Sequence, residues 1–119
     1  MSGDVRLVEE LVARFPILEG AYKAHVFNQN GVLPHVFFWD LVQDVVRSFV
    51  SPQTEDSVDW RSVLAFLEEQ AEKEDPEIDQ VIWTSFLWYL PFPGEAGHGI
   101  VEYLGPVMSR KFKRMRPHG

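Results

Sequence analysis

Two side chains of acid–base type lie three residues apart in a glycine-rich segment, PGEAGHG at positions 93–99. Glu95 and His98 could exchange a proton with a substrate, since a carboxylate and an imidazole are common general acids and bases. Such a pair also needs an orienting group and a dry pocket, and the neighbouring sequence encodes neither. The alternative is a turn at a helix end, in which Glu95 accepts bonds from backbone N–H groups. We therefore predict no catalytic residues here.

Two histidines and two aspartates, His25, His35, Asp40 and Asp44, have the donor atoms of a metal site. Asp40 and Asp44 share a helix face, whereas His35 lies five residues before Asp40 and off that face. Neither H-x-x-x-H nor H-E-x-x-H occurs, and the absence of cysteine excludes zinc–thiolate sites and disulfides. We expect no metal and no cofactor, with Asp44 paired to Arg47 and the histidines partly in the core.

The densest group of charges is acidic and spans residues 68–79. It comprises Glu68, Glu69, Glu72, Glu74, Asp75, Glu77 and Asp79, with Lys73 among them. One interpretation is a docking surface for a basic protein, because a charged patch speeds diffusional association. The other is a solvated helix face that keeps an aromatic-rich protein soluble. Calcium binding is disfavoured, since the D-x-D-x-D-G spacing is missing and helical carboxylates diverge.

Aromatic residues form 13% of the chain, and most follow the apolar stripes of the helices described below. Trp39 differs, since it lies off its stripe, beside Asp40 and near Asp44. One interpretation is an exposed tryptophan beside carboxylates, which is typical of an interface hot spot; the other is that the N-terminal helices cover it. Trp39, Asp40 and Asp44 therefore join the acidic group as predicted partner-binding residues.

Charge is unevenly distributed along the 119 residues, whose formal net charge is −7. Residues 1–109 contain 6 basic and 18 acidic residues, a net −12, whereas residues 110–119 carry five basic residues and no acidic one. An acidic body repels nucleic-acid phosphates and attracts basic proteins. We predict a single helical domain over 1–109 and a flexible basic tail over 110–119, through which alone nucleic acid would bind.

The longest apolar stretch, residues 81–92, has 12 residues, whereas a membrane span needs about 20. Residues 1–10 have mixed charge and lack the apolar segment of a secretory signal. We therefore expect a cytoplasmic protein without a membrane partner.

Apolar periodicity predicts an all-α, single-domain bundle of about six helices with orthogonal or solenoid-like packing. A first stripe runs from Asp4 to Phe15 and a second from Leu18 to Val26. The turn signal NQNG at 28–31 precedes a third helix that opens at Leu33-Pro34.

Residues 57–90 predict a central helical hairpin. Ser57 is the expected N-cap of its first helix, and Asp75 with Pro76 begins the second. The segment from Ile78 to Leu90 is apolar on nearly every face, as expected of the most buried helix. A short last helix follows, interrupted near 105–106.

Three segments resemble a family of small bacterial proteins of unknown function: LPHVFFWDLVQDVV (33–46), VLAFLEEQAEKEDPEIDQVIWTSFLWYLP (63–91), and PGEAG followed by LGP (93–97, 104–106). The resemblance covers most of residues 10–106. Some members of that group resemble immunity or antitoxin-type proteins. The resemblance implies no catalytic residues for this chain. Trp39, Trp83, Trp88 and Phe92 stand where smaller or less aromatic residues would be expected.

These observations favour a small acidic binding protein of immunity or antitoxin type, which is not an enzyme and which occludes a basic protein, such as a toxin. The carboxylates of residues 68–79 would pair with lysines and arginines of that partner. Two alternatives remain: an enzyme or ligand-binding protein using Glu95, His98 or His35, and a nucleic-acid-associated regulator using the basic tail. A homodimer is also compatible with an aromatic-rich helical domain of this size.

Overall fold

The computed structural model describes residues 3–52, 55 and 57–119, and this part of the chain is helical without any β-strand. The predicted all-α, single-domain bundle is confirmed. Its α-helices are α1 (Gly3–Arg14), α2 (Glu19–Gln29), α3 (Pro34–Val50), α4 (Trp60–Ala71), α5 (Pro76–Ser85) and α6 (Pro106–Met115). Short 3-10 helices occupy Pro16–Leu18, Leu87–Tyr89 and His98–Tyr103. Within the described ranges, no helix combines the length and apolar character that crossing a membrane requires.

Three of the predicted turn and cap signals are confirmed. Asn30 ends α2 in the left-handed conformation, with φ of 57°, and Pro34 begins α3 where a missing N–H costs little. Asp75 caps α5 by accepting the N–H of Glu77 at 2.9 Å.

The predicted cap of α4 is wrong by two residues. Asp59, not Ser57, accepts the backbone N–H of Ser62 at 3.2 Å and its hydroxyl at 2.7 Å. These bonds lower the pKa of the Asp59 carboxyl. Ser57 instead donates its hydroxyl to the carbonyl of Ser51 at 3.2 Å, which closes the loop that precedes the helix.

The central helix is α5, as predicted, and it packs against α1, α3 and α4. Its predicted length is wrong, because the α-helix ends at Ser85 and a 3-10 turn follows. In a continuous helix, Leu87 would lie about 140° around the axis from Ile82, away from the core. The break at Phe86, with φ of −120° and ψ of −64°, turns Leu87 inward, so that both residues are fully buried.

A buried carboxylate fixes the start of α6. Glu68, near the end of α4, is only 8% exposed and accepts the N–H of Val107 at 2.8 Å and of Met108 at 3.0 Å. A helix leaves its first N–H groups unpaired, and its positive dipole end favours an anion. Since Pro106 at the first position has no N–H, Glu68 satisfies the next two.

The close approach of α4 and α6 requires glycine at position 105. A Cβ placed on Gly105 would lie 2.5 Å from Cδ and Cγ of Glu68, which is far inside van der Waals contact. The "LGP" segment therefore combines a residue without a side chain, which admits the carboxylate, with a proline that begins the helix.

We predict that Glu68→Ala lowers the free energy of unfolding by about 2–3 kcal/mol, because it leaves two N–H groups near the start of α6 without their charged acceptor. Urea unfolding measures the change. Glu69→Ala is the matched control, since Glu69 is exposed on the same helix, and a surface substitution should change stability by less than about 0.5 kcal/mol. Equal losses in the two variants would contradict the capping role.

The predicted flexible tail is corrected by the structure. Helix α6 crosses position 109 and continues to Met115, and the next residue, Arg116, is only 5% exposed. The Arg116 guanidinium donates to carbonyls around the end of the central helix, those of Leu87, Trp88, Leu90 and Pro91, and to that of Gly119. The rings of Phe92 and Phe112 cover it, with centroids at 3.9 Å and 4.8 Å.

Arg116 thus supplies donors to carbonyls at and after the 3-10 turn that follows α5, those of Trp88, Leu90 and Pro91 among them. Burial lowers the pKa of its guanidinium, and the charge of Glu95 opposes that shift. A guanidinium nevertheless keeps its charge at every pH at which a protein is folded.

Arg116→Lys should lower the free energy of unfolding by about 2 kcal/mol, because an ammonium group cannot reach the same spread of carbonyls as a planar fork of five N–H groups. Arg114→Lys, an exposed change on the same helix, should leave urea stability unchanged within about 0.5 kcal/mol. If the Arg116→Lys variant were as stable as the wild-type protein, a positive charge alone would be sufficient to stabilise this site.

Candidate functional site

The exposed part of the predicted acidic cluster lies around the turn between α4 and α5. Glu69, Glu72, Glu74 and Glu77 are exposed there, and we refer to these four residues as the acidic end. None of them forms an ion pair within the described part of the chain, where the pairs are Lys23–Glu19 and Arg47–Asp44. Four unpaired carboxylates around one turn create a negative potential.

The other three members of the cluster have roles inside the fold. Glu68 is buried against the start of α6, so its prediction as a partner-binding residue is corrected. Asp75 caps α5. Asp79 is partly buried, and its Oδ1 is inaccessible to solvent and has no hydrogen-bond partner among the described residues. Spacing along a helix did not distinguish these three from the exposed four.

Asp79 lies in a cleft of about 320 Å³ between α5 and α6. Glu74 and Asp79 line the cleft together with three basic residues of α6, Arg110, Lys111 and Arg114. The Lys111 ammonium lies 5.3 Å from the centroid of Trp83, which also lines it. These three basic residues of α6 therefore lie against one side of the acidic end.

Burial raises the pKa of Asp79, the charges of Asp75 and Glu74 raise it further, and Lys111 opposes them. Between the ordinary carboxyl pKa and this raised value, the folded protein binds more protons than the unfolded chain. The contribution of Asp79 to stability therefore falls as pH rises through that window.

Asp79→Asn should raise the free energy of unfolding at neutral pH, because it removes a charge that the fold disfavours. Solvent screening of this partly exposed group limits the gain to about 1 kcal/mol or less. The gain should vanish near about pH 3, where the wild-type carboxyl is protonated in both states. Urea unfolding of wild type, Asp79→Asn and the exposed control Asp40→Asn at both pH values tests this. A variant less stable than wild type at neutral pH would contradict it.

The three predicted partner-binding residues of α3 are on the surface to different degrees. Trp39 is 48% exposed and Asp40 is exposed, whereas Asp44 is partly buried and pairs with Arg47, as predicted. Burial raises the pKa of Asp44, Arg47 lowers it, and Asp40 raises it. All three residues belong to α3, whereas the acidic end lies around the turn between α4 and α5.

The histidines do not complete a metal site with these aspartates. His25 lines a groove of about 420 Å³ that Asp40 and Asp44 also line, but its Nε2 accepts the N–H of Leu33 at 3.0 Å. His35 lies elsewhere, with Nδ1 at 2.5 Å from the hydroxyl of Ser85. Among the described residues, no three acidic or histidine side chains are placed to hold a metal.

Glu95 accepts a backbone N–H group in a turn, as in the alternative to a catalytic role. Its Oε1 accepts the N–H of Phe92 at 2.7 Å, while its own carbonyl accepts the N–H of His98 at 3.2 Å. The imidazole of His98 has a buried Nε2 without a hydrogen-bond partner in the part of the chain that the structure describes. The structure therefore gives no hydrogen bond between the two side chains of the suggested acid–base pair.

One cluster was not predicted from the sequence. Phe49 of α3, Trp60 of α4 and Tyr103 meet at one corner of the bundle, with ring centroids 4.9–5.9 Å apart. Trp60 and Tyr103 line a pocket of about 440 Å³ with Arg61 and Glu69. The adjacent Trp60-Arg61 pair was a visible signal, but nothing in the sequence shows that Tyr103 packs beside it.

No protein-family model matches the chain, and no curated protein or solved structure matches it either.

Proposed function

We propose that the protein is a binding module for a basic protein, which it contacts with the acidic end. The observation that carries this proposal is the set of four exposed glutamates without ion pairs in the described residues. A basic partner would neutralise this potential. Charge complementarity of this kind raises association rates by about 10- to 1,000-fold at low ionic strength.

The position of these glutamates supports a role outside the fold. Glu69 lies in the last turn of α4 and Glu72 is its C-cap residue, where the negative end of the helix dipole disfavours acidic side chains. Like charges three residues apart also repel on a helix surface. The placement of Glu69 and Glu72 therefore costs stability, which is expected where a surface serves a partner.

Trp39 and Asp40 are proposed as a second contact. A half-exposed tryptophan offers a large rigid area that a partner can cover, and such residues dominate many interfaces. The acidic end would then guide the encounter, and Trp39 would slow dissociation.

The immunity or antitoxin type is the finer part of the proposal, and it is supported by the sequence resemblance. Its mechanism would be occlusion: carboxylates of the acidic end would cover lysines and arginines that a toxin uses to hold phosphates. We propose the bacterial cytoplasm as the location, with which a chain without cysteine is compatible.

The test uses two variants of equal charge. Glu69, Glu72 and Glu77 are changed to Lys in one, and Glu9, Glu10 and Glu102, which are also exposed, in the other. Glu68 is left intact, since its loss would disturb α6. Each variant shifts the formal net charge from −7 to −1, so a difference between them reports position.

Partners are captured from native cells at low and high salt, and association rates of the captured protein are then measured. We expect the acidic-end variant to associate at least about tenfold more slowly at low salt, with a smaller loss in the control. Equal rates in both variants would contradict the assignment of the surface. Capture of nucleic acid, lost on changing Lys113 and Arg114 to Glu, would instead favour a function for the basic face of α6.

A further inference from the structure

We propose that the corner formed by Trp60 and Tyr103, in a pocket that Glu69 also lines, is a binding site for an alkylammonium cation. Aromatic faces that meet at an angle attract a cation through their negative quadrupoles, and a carboxylate at the rim adds charge selectivity. The site holds these two elements, and its volume of about 440 Å³ exceeds that of a single ammonium group.

The rings are arranged as two walls. The planes of Trp60 and Tyr103 meet at 78°, with centroids 5.1 Å apart. Phe49 packs against Trp60 with ring centroids 4.9 Å apart and planes at 85°. Two neighbouring faces are therefore available to one group.

A cation already occupies this corner. The Arg61 guanidinium carbon lies 4.8 Å from the centroid of Trp60 and 4.9 Å from that of Tyr103. Arg61 is exposed and forms no ion pair within the described residues. It contacts both rings and also interacts electrostatically with Asp59. The molecule itself thus shows that the corner accommodates a positive charge.

Arg61 is a replaceable occupant. Cation–π contacts at exposed sites are weak, and an exposed arginine gains rotamer freedom on release. Glu69 lines the same pocket without an ion pair in the described residues, and its charge would attract an incoming cation towards the pocket. A ligand that carries an ammonium group can therefore displace Arg61 towards solvent.

Two sources of such a group are a lysine side chain of another protein and a free quaternary amine. A lysine would deepen the proposed function, since Glu69 belongs to both surfaces, but the cation site does not depend on that function. The test below uses small probes without a protein partner, so a failure of one proposal does not decide the other.

The experiment titrates the isotope-labelled protein with choline and follows the indole N–H resonance of Trp60, assigned from a Trp60→Phe variant. The neutral isostere 3,3-dimethyl-1-butanol is the matched probe, because it has the same shape without the charge. We expect choline to bind with a dissociation constant on the order of millimolar, as suits exposed cation–π contacts, and the alcohol at least about fivefold more weakly. N-acetyl-lysine methylamide and its trimethylated form, run in parallel, distinguish the two sources.

Three variants separate recognition from folding. Arg61→Ala should tighten choline binding by about three- to tenfold, because it removes the internal competitor. Tyr103→Leu should weaken it by at least about fivefold, whereas Tyr103→Phe keeps the ring and should bind like wild type. Circular dichroism verifies that each variant is folded.

Equal affinity for choline and the neutral alcohol would overturn the proposal, since the pocket would then be merely apolar. Unchanged or weaker binding by Arg61→Ala would also overturn it, because the arginine would be a supporting residue instead of a competitor. Shifts confined to other tryptophans would place the ammonium group elsewhere.

Discussion

The arrangement of the C-terminal third depends on one buried carboxylate, that of Glu68. An isolated charge in the interior is costly, but here the helix start of α6 supplies two N–H groups and the positive end of its dipole. Because α4 carries this carboxylate, α6 must begin beside α4. Gly105 makes the approach possible, and Arg116 fixes the other end of the segment by donating to carbonyls after α5.

That constraint determines what the surface presents. With α6 fixed against α4 and α5, its Arg110, Lys111 and Arg114 lie beside Glu74 in one cleft, so the negative charge of residues 68–79 is partly opposed on one side. Glu69, Glu72 and Glu77 do not line that cleft. The same contact brings the segment before α6 towards α4, where Tyr103 meets Trp60. Both the acidic end and the Trp60–Tyr103 corner therefore depend on the capping of α6 by Glu68.

Residues of one chemical type divide into different roles according to burial. Within 68–79, Glu68 and Asp75 accept backbone N–H groups and Asp79 is partly enclosed, whereas the exposed four form no ion pair with any residue that the structure describes. Likewise, Arg116 is enclosed by rings while Arg114, two residues earlier, is exposed. In the sequence these residues form groups of like charge. Neighbouring positions in a helix face different directions, so members of one group differ in burial.

The sequence by itself determined the helical class, the start of α3 and α5 at their prolines, the turn after α2 and the central position of α5. Each follows from local propensity or from apolar periodicity, which act within a few turns of chain. Only the tertiary structure decided where α5 breaks, that residues 110–116 join the bundle, and which carboxylates reach solvent. Those outcomes depend on contacts such as Glu68 with Val107 and Arg116 with Leu87, between residues about 30 to 40 positions apart, and such pairings leave no period in the sequence.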